Sequence, residues 1–419
     1  MVGIIFEDLA VQRLGLAQLP AVVIPDGQFE GLLKCHRGHC LTYYANAMRI
    51  AFYDTIGLRY HAQSVDSIPL GGSESAACYL ARALARLGHQ VILMTKLSEP
   101  GTYDGVWCIP HPFHAMVPWP QLDAVVWMGP PIAVQQVRAV APQARLIFWT
   151  QHAVDQPWVQ FLREPRGSQL FDGYALVSEW QRAKFIQTFA LPIERTVVMR
   201  NAVGFAFESM FTSGESILAA KSRPPVLAYT STPFRGLDVL LDAFPMIRQT
   251  VPDVRLKVFS SMRVYQTPVE QETAYFGELY RRCLATPGVE YVGSVAQPEL
   301  ARAMREVSVL SYPNTFAETS CIAVMEALAS GCRVVTSDLA ALPETAAGFA
   351  RLVKPDASRE SYLANFVEQA VLAIQEFMYP EGALERSLQN QVEWFRQNAT
   401  WRLRATQWVE WLSGTRRSA

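Results

Sequence analysis

No run in this 419-residue chain is apolar for the roughly 18 or more residues that a membrane helix needs, so no spanning segment is expected. The start, MVGIIFEDLA, lacks the basic residues of a secretory leader, and Glu7 and Asp8 interrupt its short apolar run. Neither sign of charge is in excess. Lys plus Arg (37) nearly cancels Asp plus Glu (38), which argues against nucleic acid as a partner. Cysteine is sparse and odd in number: seven, at 35, 40, 78, 108, 283, 321 and 332, with no spacing that suggests a disulfide framework. A cytoplasmic setting is expected. Peripheral contact with the inner membrane face stays open, because a few exposed apolar or basic residues suffice for it.

Several chemical signatures are missing too. There is no D-x-D triplet, no G-x-S-x-G elbow and no H-E-x-x-H pair. The cluster KCHRGHC (Cys35, His36, His39, Cys40) holds four potential ligands, but zinc sites usually split theirs between two segments, so no metal is expected.

The chain does have 50% hydrophobic and 18% charged residues, which suits two or three globular domains. From Arg49 onward, short β-branched runs alternate with amphipathic patterns, the mark of parallel α/β layers. RIAFYDT reads as a strand; GGSESAACYLARALARLGHQVILMTK gives a glycine turn, a helix, its stop at Gly88 and a second strand. Strands follow at DAVVWMG, ARLIFWTQH, GYALVSE and TVVMRNAV, and a linker at 209–225. A second series then runs from VLAYTST through RLKVFSS, VEYVGSV and VSVLSYP to RVVTSD. The expected division is an N-terminal extension (1–47), a first Rossmann-like domain (48–208, with a returning helix at 395–419) and a second (224–394). Two doubly wound domains place a ligand in the crevice beyond the carboxyl ends of their strands.

One stretch of the second domain, NTFAETSCIAVMEALASGCRVV, sets Glu318 and Glu326 in an otherwise apolar and small-residue run. Buried carboxylates need a partner or a ligand. Thr319 or Ser320 can cap a helix, Gly331 can stop it, and Glu326 then lies more than two turns inside. At 1.5 Å per residue the two glutamates stand about 12 Å apart along the axis, the order of the ribose-to-sugar distance in a nucleotide diphosphate-sugar. The helix N-terminus between them would offer N–H groups to the diphosphate.

Here the residues resemble a known family. YPNTFAETSCIAVMEALASGCRVV resembles the E-x7-E region of retaining GT-B glycosyltransferases of the "glycosyl transferases group 1" type. STPFRGLDVLLDAF resembles that family's K/R-G-x-x-x-L-L-x-A-F segment, and GGSESAACYLARALARLGHQV its glycine loop and first helix. The resemblance covers residues 48 to 415 and implies a GT-B fold, a C-terminal helix crossing back to the first domain, and metal-independent sugar transfer with retention. The implied co-substrate is a UDP- or GDP-linked sugar, with no resident cofactor. Glu326 would bind the donor ribose, and Glu318 the transferred sugar. Arg235 would neutralise the diphosphate, Gly71 and Gly72 would let backbone approach it, and His152 would sit near the donor sugar. Thr319, Ser320 and Cys321 open the helix, and Gly293, within 292–294, would contact the base through backbone.

The chain departs from the family at Ser320 and Cys321, where Phe-Gly is frequent. It also lacks a second basic residue between Tyr229 and Thr232, for which Arg200, Lys257 or Arg263 could substitute. The acceptor, whether glycan, lipid or small molecule, would be met by the loops LRYHAQSVDSIPL and DGVWCIPHPFHAMVPWP. Two rival readings are an epimerase of nucleotide sugars on the same fold and a non-catalytic nucleotide-binding or interaction protein.

Overall fold

Period-two burial organises the first sheet. In strand β1 (Arg49–Asp54), Ile50 and Phe52 enter one core and Ala51 the other; in β5 (Ala124–Met128), Val126 and Met128 oppose Val125 and Trp127 in the same way. Both faces are therefore covered, as parallel sheets require. In the computed structural model, residues 47–164, 166–212, 214–356 and 358–414 are described. The N-terminal extension, with KCHRGHC, lies outside them except for Ala47.

The remaining strands of this sheet are β2 (Gln90–Thr95), β3 (Gly101–Tyr103), β4 (Val106–Pro110), β6 (Arg145–Thr150), β7 (Gly173–Leu176) and β8 (Thr196–Val198). Their order is β3-β4-β2-β1-β5-β6-β7-β8, parallel except for β3 against β4. The hairpin corrects the sequence reading of DGVWCIP as loop. Asp104 and Gly105 both take positive φ, the turn that suits a two-residue hairpin, and Val106–Pro110 continues beside β2.

The second sheet is all parallel: β9 (Val226–Tyr229), β10 (Arg255–Val258), β11 (Val289–Tyr291), β12 (Val309–Tyr312), β13 (Arg333–Ser337) and β14 (Ala350–Val353), ordered β11-β10-β9-β12-β13-β14. Its core takes in the helices Leu237–Thr250, Ile322–Ala329, Arg359–Met378 and Leu384–Asn398. The helix Val269–Ala285, to which the sequence reading assigned no element, fills the stretch before β11. Within the expected linker, Ser216 caps a one-turn helix, Ile217–Ala220, whose Ile217 is buried in the second core.

Phe395 and Ala399 belong to that second core, whereas Trp401, Ala405, Trp408 and Leu412 pack into the first. The chain therefore crosses at Thr400, whose hydroxyl caps the returning helix Trp401–Ser413, five residues beyond the expected 395. Among the described residues no helix is long and apolar enough to cross a membrane.

Gly331 stops the helix Ile322–Ala329 with φ +66°, and a Cβ there would lie 2.4 Å from Ile217 Cγ2. Gly331→Ala should therefore cost at least ~1–2 kcal/mol from the left-handed backbone, read as a lower midpoint in urea with an unchanged m-value.

Candidate functional site

The site forms where the carboxyl ends of the second sheet meet the first domain. After β9 a tight turn, Pro233–Arg235, ends at Gly236, which has φ +102°; a Cβ there would lie 2.1 Å from the Pro313 carbonyl. Only glycine allows that approach, and it holds Arg235 against the loop that follows β12. Arg235 Nη1 donates to Glu318 Oε1 at 2.8 Å, and Tyr312 Oη donates to the same oxygen at 2.6 Å. The Arg235 guanidinium lies 4.6 Å from the Phe316 ring centroid and 5.4 Å from that of Phe234. Its Nη2 reaches Tyr265 Oη at 3.4 Å, and its buried Nε has no hydrogen-bond partner in the protein. Burial opposes the Arg235 charge, but the negative charge of Glu318 more than offsets this and holds its pKa well above the ordinary value.

Glu318 is thus paired within the protein. Glu326 is held differently. It is 4% exposed, and its Oε1 accepts the Gly204 N–H at 3.3 Å. A Cβ on Gly204 would lie 2.7 Å from Tyr79 Oη, 3.0 Å from Gln297 Oε1 and 3.2 Å from Glu326 Oε1, so these three groups converge on one point. Burial pushes the Glu326 carboxyl up to about 8, although Gly204 and Gln297 pull it down.

The helix that carries Glu326 starts at Ile322, later than expected. Neither Thr319 nor Ser320 caps it; Cys321 occupies the N-cap, with no side-chain cap hydrogen bond. Glu326 therefore lies just over one turn inside. The Thr319 hydroxyl is drawn away by the first domain, donating to the Gln151 carbonyl at 2.6 Å. Burial, and then the Glu318 charge, raise the Cys321 thiol well above its ordinary value, so it stays protonated. Ser320 is half-buried beside it.

His152 follows β6. Its ring contacts Thr150 Oγ1 at 3.2 Å, and burial followed by the Arg235 charge brings it down to about 4, so it is neutral at physiological pH. Gly71 caps the helix Gly72–Arg86 and donates its N–H to the Val264 carbonyl of the second domain at 3.0 Å. A Cβ on Gly72 would meet Ile322 Cδ1 at 3.7 Å, so the first turns of the two helices face each other. Gly293, with φ +81°, stands in open space after β11.

Of the three basic residues considered as substitutes, Arg200 is paired with Glu344 at 2.7 Å and Lys257 with Glu290 at 3.8 Å. Arg263 is exposed on the Met262–Tyr265 turn, which also carries Tyr265. Sequence reasoning missed Tyr265, Tyr312, Gln297 and Glu74. Of these only Glu74 carried a local signal, as the third residue of a helix after a glycine pair. Unpaired buried hydroxyls also gather after adjacent strands: Thr232 beyond β9, Ser260 beyond β10 and Ser294 beyond β11. Such groups suit a polar ligand at the carboxyl edge.

Residues 224–370 match the family described as "Glycosyl transferases group 1". A phosphatidyl-myo-inositol mannosyltransferase of Mycobacterium tuberculosis is 36% identical over 107 residues, 26% of this chain and 25% of that protein. Its Mycobacterium leprae counterpart is 34% identical over 107 residues, 26% of each. The chain thus spans about a quarter of the length of the curated relatives it matches. Among solved structures, a glycosyltransferase from Rickettsia africae superposes with a TM-score of 0.64 at 12% identity, over 90% of this chain and 100% of that one. Sucrose-phosphate synthase from Thermosynechococcus elongatus gives 0.63 at 15% identity, over 88% and 99%. Anabaena HepE in complex with UDP-glucose gives 0.62 at 18% identity, over 88% and 100%. At these identities the likeness is one of fold: the architecture is GT-B.

Proposed function

We propose that the protein is a glycosyltransferase that moves a sugar from a nucleotide diphosphate-sugar to an acceptor hydroxyl, with retention at the anomeric carbon. The observation that carries this reading is the Arg235–Glu318 pair at the carboxyl edge of the second sheet. It brings a permanent cation, with a free Nε, and a hydroxyl-binding carboxylate to one point in the cleft. Arg235 and the uncapped helix after Cys321 would hold the departing diphosphate, and charge growing on it would be stabilised there. Glu326, Gly204 and Gln297 would take the ribose, and Gly293 the base. His152, neutral at working pH, would present a hydrogen bond rather than a charge to the donor sugar. Interdomain contacts would keep water from the donor.

The match over 224–370 supports the donor side of this reading, and the UDP-glucose on HepE supports a UDP-linked sugar. The lipid acceptor named for the mycobacterial relatives supports testing a lipid-linked polyol first.

Incubation with UDP- and GDP-sugars should release free nucleotide slowly without an acceptor, and faster once a suitable one is supplied. An isomerised donor sugar would instead establish the epimerase. Saturable binding with no turnover, even with a broad acceptor panel, would leave a binding protein.

A further inference from the structure

Glu74 is 3% exposed, and its Oε2 has no hydrogen-bond partner in the protein. It occupies the third position of the helix Gly72–Arg86, and a Cβ on the N-cap Gly71 would lie 2.6 Å from that oxygen, so the side chain curls back over the helix mouth. A glutamate so placed ordinarily accepts the N-cap N–H, which completes a capping box. Here that donor is already taken: the Gly71 N–H points to the Val264 carbonyl, from the other domain, at 3.0 Å. Nearby, Gln266 clasps Arg59 through both of its backbone groups, at 3.1 and 2.8 Å. The Val264 carbonyl of the second domain thus holds the N–H that a capping box would give to Glu74, and Glu74 Oε2 is left without a partner.

That oxygen and the Tyr265 ring both crowd the same face of Gly71. Tyr265, whose ring would lie 2.8 Å from a Gly71 Cβ, also receives the weak bond from Arg235, and its phenol feels the charges of Arg235, Glu74 and Glu318. Glu74 therefore belongs to the same cluster as the Arg235–Glu318 pair but is used by neither of its members. The other titratable group that acts on it is Asp54, at the end of β1, which accepts from Tyr60 Oη at 2.6 Å and the Ile56 N–H at 2.8 Å. Both Asp54 oxygens are thus satisfied, whereas the Glu74 carboxyl has the N–H of its own residue and its Oε2 has no partner.

We propose that Glu74 is a binding residue for a sugar hydroxyl, one that becomes available only when the second domain takes the Gly71 N–H. This rests on the transferase reading above. The chemistry, a hydroxyl donating to a buried carboxyl oxygen, could come from the transferred sugar or from the acceptor. The cluster with Arg235 and Glu318 favours the transferred sugar.

The test is calorimetric titration of the full chain and of Glu74→Ala and Glu74→Gln with UDP, UDP-glucose, GDP and GDP-mannose, alongside turnover with glucose or mannose as surrogate acceptor. Glu74→Ala should weaken the sugar nucleotide about tenfold and leave the matching nucleotide diphosphate within twofold, which places the hydroxyl on the transferred sugar. Intact donor affinity with a raised KM for the monosaccharide places it on the acceptor. Equal losses for nucleotide and sugar nucleotide, with a lowered melting temperature, would reduce Glu74 to a helix cap and overturn the proposal. So would variants indistinguishable from wild type. A wild-type chain that binds none of the four nucleotides overturns the transferase reading itself. Should Glu74→Ala not fold, Glu74→Gln carries the same comparison, with a loss of at least threefold expected for the sugar nucleotide alone.

Discussion

Arg235→Ala should lower donor turnover by about 100- to 1000-fold, the range found when one preorganised donor to a developing oxyanion is removed. Two separable losses combine. The leaving diphosphate loses its cation, and Glu318, 6% exposed, loses the partner that holds it at 2.8 Å. Stripping one member from a buried pair typically costs about 3–5 kcal/mol of stability; here the Arg235 side chain is 21% exposed, which puts the expected cost at or below the bottom of that range. Arg235→Lys tells the two apart. It keeps a charge at the site but not the planar fork that serves Glu318 and Tyr265 together, so much of the stability should return and only part of the rate. Folded Arg235→Ala protein that retains donor turnover within threefold of wild type would rule out the leaving-group role.

The affinity for sugar nucleotide should rise as pH increases from about 6 to 8, and Glu326→Gln should remove from that rise a component approaching tenfold per unit. A carboxyl that burial pushes up to about 8 is protonated in the free protein at neutrality. Ribose hydroxyls favour the carboxylate, so binding must expel its proton, and expulsion becomes easier as pH approaches 8. Comparison with Glu326→Gln cancels any titration of the ligand. The same shift acts on stability with a definite sign. Because the folded carboxyl titrates near 8 and its ordinary value is 4.5, its contribution is fully present below 4.5 and is lost as pH rises through 8. Glu326→Gln should therefore melt above wild type at pH 8 and not at pH 4. Glu74, also pushed up to about 8 by burial and by Asp54, adds a loss of the same sign that this variant leaves in place. A pH-independent affinity in wild type would remove Glu326 from the ribose.

Much of this architecture was legible in the chain. Alternating apolar strands and amphipathic helices announce two parallel sheets, because side-chain periodicity is a local property. The pairing of Arg235 with Gly236 and the spacing of Glu318 from Glu326 are local too, and the resemblance rested on them. Local reading failed where another segment competed. Thr319 has the chemistry of a cap, yet the Gln151 carbonyl claims its hydroxyl from 168 residues away. KCHRGHC lies outside the described residues, so its reading has no counterpart here.

What the sequence determined by itself is the succession of elements and the residue types placed at strand ends and helix mouths, since these follow from propensity and period. The tertiary structure alone decided which of those residues meet. Arg235 and Glu318 are 83 positions apart, and Gly204 and Glu326 are 122 apart. Gly71 and Val264 lie in different domains. Each hydrogen bond has one donor and several eligible acceptors, and only the packing of one domain on the other selects among them. That selection frees Glu74 and binds Glu318, although the sequence presents both as glutamates close to a helix mouth.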